Sequence, residues 1–175
     1  MRKLSLMSVL GLFLFVNTAQ AGFLIEPYVG TGQFKSTLDV ANADEESDSL
    51  TAMGARLGFG FLGTLYAGLD YAQQTTAVGN DDASMTNTAV FFGVDLPILL
   101  RAWAKYYIGS TIDEQEFDAV DFKDGYAIGI GFTGLPFVSL NLELQTINYT
   151  KEILGTDYDL NTAATIFSVS LPLDI

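Results

Sequence analysis

Residues 53–61 read Met53-Gly54-Ala55-Arg56-Leu57-Gly58-Phe59-Gly60-Phe61. One parity of that stretch, Met53, Ala55, Leu57, Phe59 and Phe61, is apolar, while the other holds only glycine and one arginine. A period of two is the mark of a β-strand. The pattern returns at 65–71, 90–98, 101–109, 126–133, 138–145 and 167–175, and residues 23–34 open the series, which makes eight predicted strands. Three connections are short, at 62–64, 97–100 and 134–136, whereas those at 35–49, 77–85, 113–124 and 151–161 are long and polar. Short turns at one end and long loops at the other predict an all-β fold, an eight-stranded antiparallel up-and-down barrel.

Composition closes several alternatives. The chain has 175 residues, a net charge of −13, and neither cysteine nor histidine, which excludes disulfides, zinc fingers and imidazole or thiolate catalysis. The acidic excess argues against nucleic acid, whose binding is driven by basic residues neutralising phosphates. No cofactor motif is expected. The pairs of G-x-G-x-x-G spacing, Gly58 to Gly63 and Gly129 to Gly134, each precede another alternating strand. A dinucleotide site needs a helix N-terminus there, so these glycines instead make room for large side chains across a narrow lumen.

Residues 1–21 read as a secretory signal peptide: Arg2-Lys3, an apolar run from Leu4 to Val16, and Ala19-Gln20-Ala21 as the exit. Thirteen apolar residues fall short of the roughly 20 that cross a bilayer. The expected domains are 1–21 as signal and 22–175 as barrel. With no cysteine after the cleavage point, a lipoprotein anchor is not expected.

Charge decides which face is outside. The polar parity carries Glu26, Arg56, Asp70, Asp95, Arg101, Lys105, Glu143 and Asp174 over all eight strands, far fewer charges than a water-facing sheet bears. Such a sparse, mixed-sign set suits a closed interior where charges find partners. The apolar parity is uncharged, with Phe59, Phe61 and Phe132 near the turns and Tyr71 and Tyr126 towards the long loops, as in the aromatic girdles of a lipid-facing wall. Trp103 falls on the interior parity, where stacking on Arg101 or Lys105 is expected.

The opening Pro27-Tyr28-Val29-Gly30-Thr31-Gly32, the eight alternating strands and the final strand together resemble the small eight-stranded outer-membrane β-barrels, the OmpA transmembrane domain and OmpX among them. The chain departs from that family in ending Leu173-Asp174-Ile175 where an aromatic read by the barrel-assembly machinery is usual, and a peptidoglycan-binding module after the last strand is not expected. The resemblance implies a monomeric integral protein of a Gram-negative outer membrane, in contact with outer-membrane lipid and lipopolysaccharide. Enzymes of this architecture depend on histidine, so a non-enzymatic envelope or surface role is expected.

Glu26, Arg56, Asp70, Asp95, Arg101, Lys105 and Glu143 are expected to form a bracing ion-pair network in the middle and turn-side lumen. The loops carry sixteen acidic residues against Lys35, Lys123 and Lys151. Among them, Asp113, Glu114, Glu116, Asp118, Asp121, Asp157 and Asp159 are candidates for divalent cations, and Asp157-Tyr158-Asp159-Leu160-Asn161 imitates the start of a calcium loop without its glycine and distal glutamate. Two other readings stay open: a narrow ion-conducting channel, and a soluble periplasmic lipocalin-like barrel with its apolar face inside.

Overall fold

A computed structural model describes residues 22–38, 46–78, 81–113, 120–153 and 156–174. Eight long antiparallel strands run β1 (Phe23–Leu38), β2 (Glu46–Phe61), β3 (Leu65–Val78), β4 (Asp81–Leu96), β5 (Leu100–Asp113), β6 (Val120–Phe132), β7 (Ser139–Ile153) and β8 (Thr156–Ser170). A two-residue piece, β9 (Leu173–Asp174), follows. Each strand pairs with the next in sequence, and β1 pairs with both β2 and β8, so the sheet closes on itself. Closure removes the free edges that an open sheet would present.

The closing seam is interrupted at one place. The chain pairs Tyr28 with Ser170 and, further on, Ile25 with Leu173. Pro27 and Pro172 lie between, neither able to donate a main-chain hydrogen bond. Leu171 N spans the break by donating to Pro27 O at 3.0 Å. The turns hold Leu62, Leu99 and Phe137 at positive φ, a conformation that costs a residue with a Cβ about 1–2 kcal/mol.

The strands are longer than the sequence pattern suggests. Most of the stretches read as long polar loops are strand, and what remains between strands, 39–45, 79–80, 114–119 and 154–155, lies outside the described residues. The reason is an inversion of sidedness half-way up the wall. In the turn-side half the outward residues are apolar: Val29, Phe59 and Ile128 are 64%, 65% and 57% exposed. In the loop-side half they become Thr31, Gln33, Thr51, Gln73, Thr75, Thr86, Thr111, Thr150 and Asn161. Leu50, Ala52, Phe34, Met85, Ala164 and Ile166 turn inward there as one packed cluster. Ala89, Tyr107, Ala127, Ile147 and Tyr149 form a second, with Ile112, Val120, Phe122 and Leu160 against it. Each of these segments still alternates, but with the apolar parity inside.

Two β-bulges assist. The β4–β5 register shifts at Thr88/Ala89 and the β6–β7 register at Phe122/Asp124. An extra residue in one strand of a pair switches which parity faces the core, so Ser110 and Ile112 point inward above Tyr107 on β5. The outward apolar band spans nine residues on β2, Met53 to Phe61, which at about 3.4 Å per residue and a tilt near 40° is roughly 20 Å of height. That height fits the apolar band of a membrane barrel. Tyr71, Tyr106 and Tyr126, each more than half exposed, mark its upper rim at mid-strand rather than beside the loops. Phe59, Phe61 and Phe132 face outward towards the turns.

Candidate functional site

The turn-side lumen is built by cross-strand pairing of large rings with glycine. Tyr28 sits opposite Gly54, Tyr66 opposite Gly93, and Trp103 opposite Gly129. A Cβ on Gly129 would lie 2.2 Å from the Trp103 ring, and one on Gly93 2.1 Å from Tyr66. The inward glycines are thus the floor on which three aromatic rings lie flat against the wall. This leaves the axis free for charged side chains.

Arg56 occupies that axis, 2% exposed. Its Nε donates to Asp70 Oδ2 at 3.2 Å and its Nη2 to Glu143 Oε2 at 3.4 Å, while Nη1 lies 3.4 Å from Glu26 Oε1. Lys105 Nζ bridges Asp70 Oδ2 at 2.9 Å and Glu143 Oε2 at 2.8 Å. Arg101 holds Glu26 at 3.1 Å through Nη1 and grips Asp95 at 2.6 Å and 3.3 Å through Nε and Nη2. All seven lumen residues singled out in the sequence therefore meet in one continuous cluster, drawn from β1, β2, β3, β4, β5 and β7. The side chain of Asp174 lies outside the described residues.

Uncharged partners complete the cluster, and the sequence did not single them out. Tyr28 donates to Asp70 Oδ1 at 3.0 Å, Trp103 Nε1 to Glu143 Oε2 at 2.8 Å, and Ser170 Oγ to Glu26 Oε1 at 2.6 Å. Trp103 stacks on Arg56, 4.3 Å from Cζ to ring centroid, and not on Arg101 or Lys105 as expected. It lies across the barrel wall from the guanidinium on the glycine floor of β6. Arg56 also faces Tyr28 at 4.9 Å, and Arg101 faces Tyr66 at 4.7 Å. The signal that could have found these rings was available: an inward aromatic whose cross-strand partner is glycine.

Above the charges, Gln74 and Gln145 exchange hydrogen bonds at 2.8 Å and 3.2 Å, and Tyr107 donates to Gln145 Oε1 at 2.9 Å. Ser110 joins Asn87 and Tyr149 one level higher, and the two apolar clusters follow. Charge, amide and hydrocarbon fill the tube in succession. Each of these buried charged and amide side chains makes at least one polar contact, as desolvation requires, and Asn87 Nδ2 and Asn141 Oδ1 are left without a hydrogen bond.

Of the seven candidate cation positions, the three whose side chains are described are not brought together into a metal-holding group. Asp121, Asp157 and Asp159 stand on strands β6 and β8 with their side chains outward, and Asp159 pairs with Lys123 at 3.0 Å. The calcium-loop resemblance of 157–161 fails because these residues are extended strand, which spaces alternate side chains along a line and cannot wrap an ion. Glu114, Glu116 and Asp118 lie outside the described residues, as does the Asp113 side chain. Among the described residues no group of three or more acidic side chains could hold a metal ion.

No family model matches the chain and no curated protein matches it in sequence. Solved structures do match. Neisserial surface protein A shares 11% identity over 89% of this chain and 99% of its own, with a TM-score of 0.52. The fold is that of the small eight-stranded outer-membrane β-barrels. Ail, the attachment invasion locus protein of Yersinia pestis, is similar to this barrel at a TM-score of 0.57, with 9% identity over 88% of this chain and all of its own. The outer membrane protein AlkL, solved in lipid bilayers, is similar at 0.51, with 8% identity over 91% and 93%. At such identities the likeness is one of fold.

Proposed function

We propose that the protein is a monomeric integral barrel of a Gram-negative outer membrane, non-enzymatic, serving as an envelope element and surface platform. Residues 1–21 direct its export, and the barrel-assembly machinery inserts it. One observation carries the reading: the wall is apolar outside and charged inside for one bilayer height, then polar outside and apolar inside above it. The lower storey is matched to acyl chains. The upper storey is a water-soluble barrel in miniature, held clear of the lipid, with a wall of threonine, asparagine and glutamine at the height of lipopolysaccharide sugars. Its acidic residues suit divalent cations shared with lipopolysaccharide phosphates or a cationic partner.

The filled interior argues against the channel reading, since an ion would have to cross both the charged cluster and the hydrocarbon above it. The outward band argues against a soluble lipocalin-like barrel, which would bury Phe59, Ile128 and Phe167 rather than expose them. The test is expression in a Gram-negative host with membrane fractionation, gel mobility of heated and unheated samples, and planar-bilayer recording. The expected result is outer-membrane recovery, a heat-dependent mobility shift and no discrete openings. Recovery as a soluble monomer in detergent-free buffer overturns the reading; regular single-channel steps overturn the sealed lumen.

A further inference from the structure

Closure of the sheet stops, along one seam, at the tyrosine rim. β5 and β6 pair from Leu100 with Phe132 up to Tyr106 with Tyr126, and no further. Both strands continue: β5 pairs with β4 as far as Asp113, and β6 with β7 as far as Val120. Residues 107–112 and 120–125 thus have no ladder between them, whereas β3–β4 and β7–β8 stay paired up to Val78 with Asp81 and Ile153 with Thr156. The bulges account for the parting. Ile108 and Lys123 are the extra residues of β5 and β6, just above the last pair, and a bulge is one way of ending a ladder. A Cβ on Gly109 would meet nothing within 4 Å.

The cleft has two unlike sides. Its inner side is apolar: Ile112 of β5 and Val120 and Phe122 of β6 pack on the second apolar cluster yet stay only partly buried. The outer side next to β6 is acidic. Among the described side chains of β6 to β8 above Tyr126, Asp121, Asp124, Asp157 and Asp159 stand against Lys123 and Lys151. Lys123, a residue type that blunts sheet edges, is itself tied to Asp159 at 3.0 Å. Unpaired main chain is costly in lipid and solvated in water, and the parting begins where the outward apolar band ends. In water such an edge is a template for another strand.

We propose that this cleft takes an extended cationic peptide, which adds as a strand along the β6 edge. Its main chain bonds to the unpaired groups of 120–125, and its alternate side chains divide between the two sides. Apolar ones turn in towards Phe122 and Ile112, and lysines or arginines turn out towards Asp121 and its neighbours. The inference names the cationic partner of the surface role proposed above, and it rests on that reading for placing the cleft outside the lipid.

The test uses the folded barrel in neutral phosphatidylcholine nanodiscs, with hydrogen exchange followed at each amide. Without peptide, the cleft-facing amides of 107–112 and 120–125 are expected to exchange faster than those of 146–151. Lys-Val-Lys-Val-Lys-Val-Lys, blocked at both ends, is expected to bind saturably and to protect the amides of 120–125. The same peptide with glutamate for lysine is expected not to bind. N-methylation of alternate peptide residues is expected to abolish binding in one of its two phases. Asp121→Lys, at an exposed position, is expected to weaken affinity about tenfold. Uniformly slow exchange without peptide overturns the proposal, and so does binding no tighter than to empty nanodiscs. Binding of the acidic peptide, full binding of both N-methylated peptides, or unchanged affinity in Asp121→Lys overturns it equally. Dimers of the peptide-free barrel that protect 120–125 assign the edge to a second copy and also overturn it. None of these results bears on the membrane assignment, which fails separately by recovery of the protein in detergent-free buffer.

Discussion

Arg56 is the arginine on which three carboxylates and two rings converge, so Arg56→Ala is the perturbation that asks most of the structure. The substitution removes ion pairs to Glu26, Asp70 and Glu143 at 3.2–3.4 Å and the stacking on Trp103 and Tyr28. No carboxylate is left wholly alone, because Lys105 still holds Asp70 and Glu143, and Arg101 still holds Glu26. Four carboxylates must then share two cations out of bulk water. Breaking a buried pair by deleting one partner costs about 3–5 kcal/mol. The remaining cations bring the Coulomb part to the low end, about 3 kcal/mol, and the two lost cation–π contacts, roughly 1 kcal/mol each, bring the total to about 5 kcal/mol. Arg56→Lys retains the charge but loses the planar fork, with an expected cost of about 1–2 kcal/mol. The assay is urea unfolding in lipid vesicles followed by the fluorescence of Trp103, the only tryptophan in the chain and in contact with the guanidinium. An Arg56→Ala unfolding free energy within 1 kcal/mol of the parent refutes the claim that the cluster braces the barrel.

Gly129→Val puts a branched side chain where the Trp103 ring lies; loss of the folded band on unheated gels is expected, whereas an unchanged band and Trp103 emission contradict the glycine-floor account. Ile128→Lys places a charge in the middle of the outward apolar band and is expected to cost about 2–4 kcal/mol in vesicle unfolding, against under 1 kcal/mol for Thr75→Lys above the tyrosine rim. Equal costs would erase the boundary drawn here. Leu50→Ala, at a fully buried position of the loop-side core, is expected to cost about 2–5 kcal/mol in the same assay while leaving the barrel non-conducting in planar bilayers.

Much of this molecule was legible in its sequence, for identifiable reasons. The turn-side halves of the strands pair a bulky apolar parity with a small polar one, and the three short turns are punctuated clearly, so strand number, order and the inward direction of Arg56, Asp70 and Glu143 followed. The loop-side halves were misread because their apolar residues sit on the opposite parity. In 139–153, Leu140, Leu142 and Leu144 face out, while Ile147 and Tyr149 face in. Read as one pattern the strand dissolves after Gln145; read as two storeys it continues to Ile153. The bulges at Ile108 and Lys123 compound this by shifting the period. The pairing of Arg56 with Trp103 depended on cross-strand register, which alternation alone does not supply.

The two storeys answer to different physics, and temperature separates them. Burial of hydrocarbon carries a large heat-capacity change and weakens on cooling, whereas Coulombic attraction sealed from electrolyte changes little. The upper cluster around Leu50 and Ile147 therefore loosens first in the cold, and the lower one holds. A barrel built this way has its softest part turned outward, where a loss of amide protection from exchange near freezing would reveal it, and keeps its stiffest ring at the depth where lateral pressure from the surrounding lipid is felt.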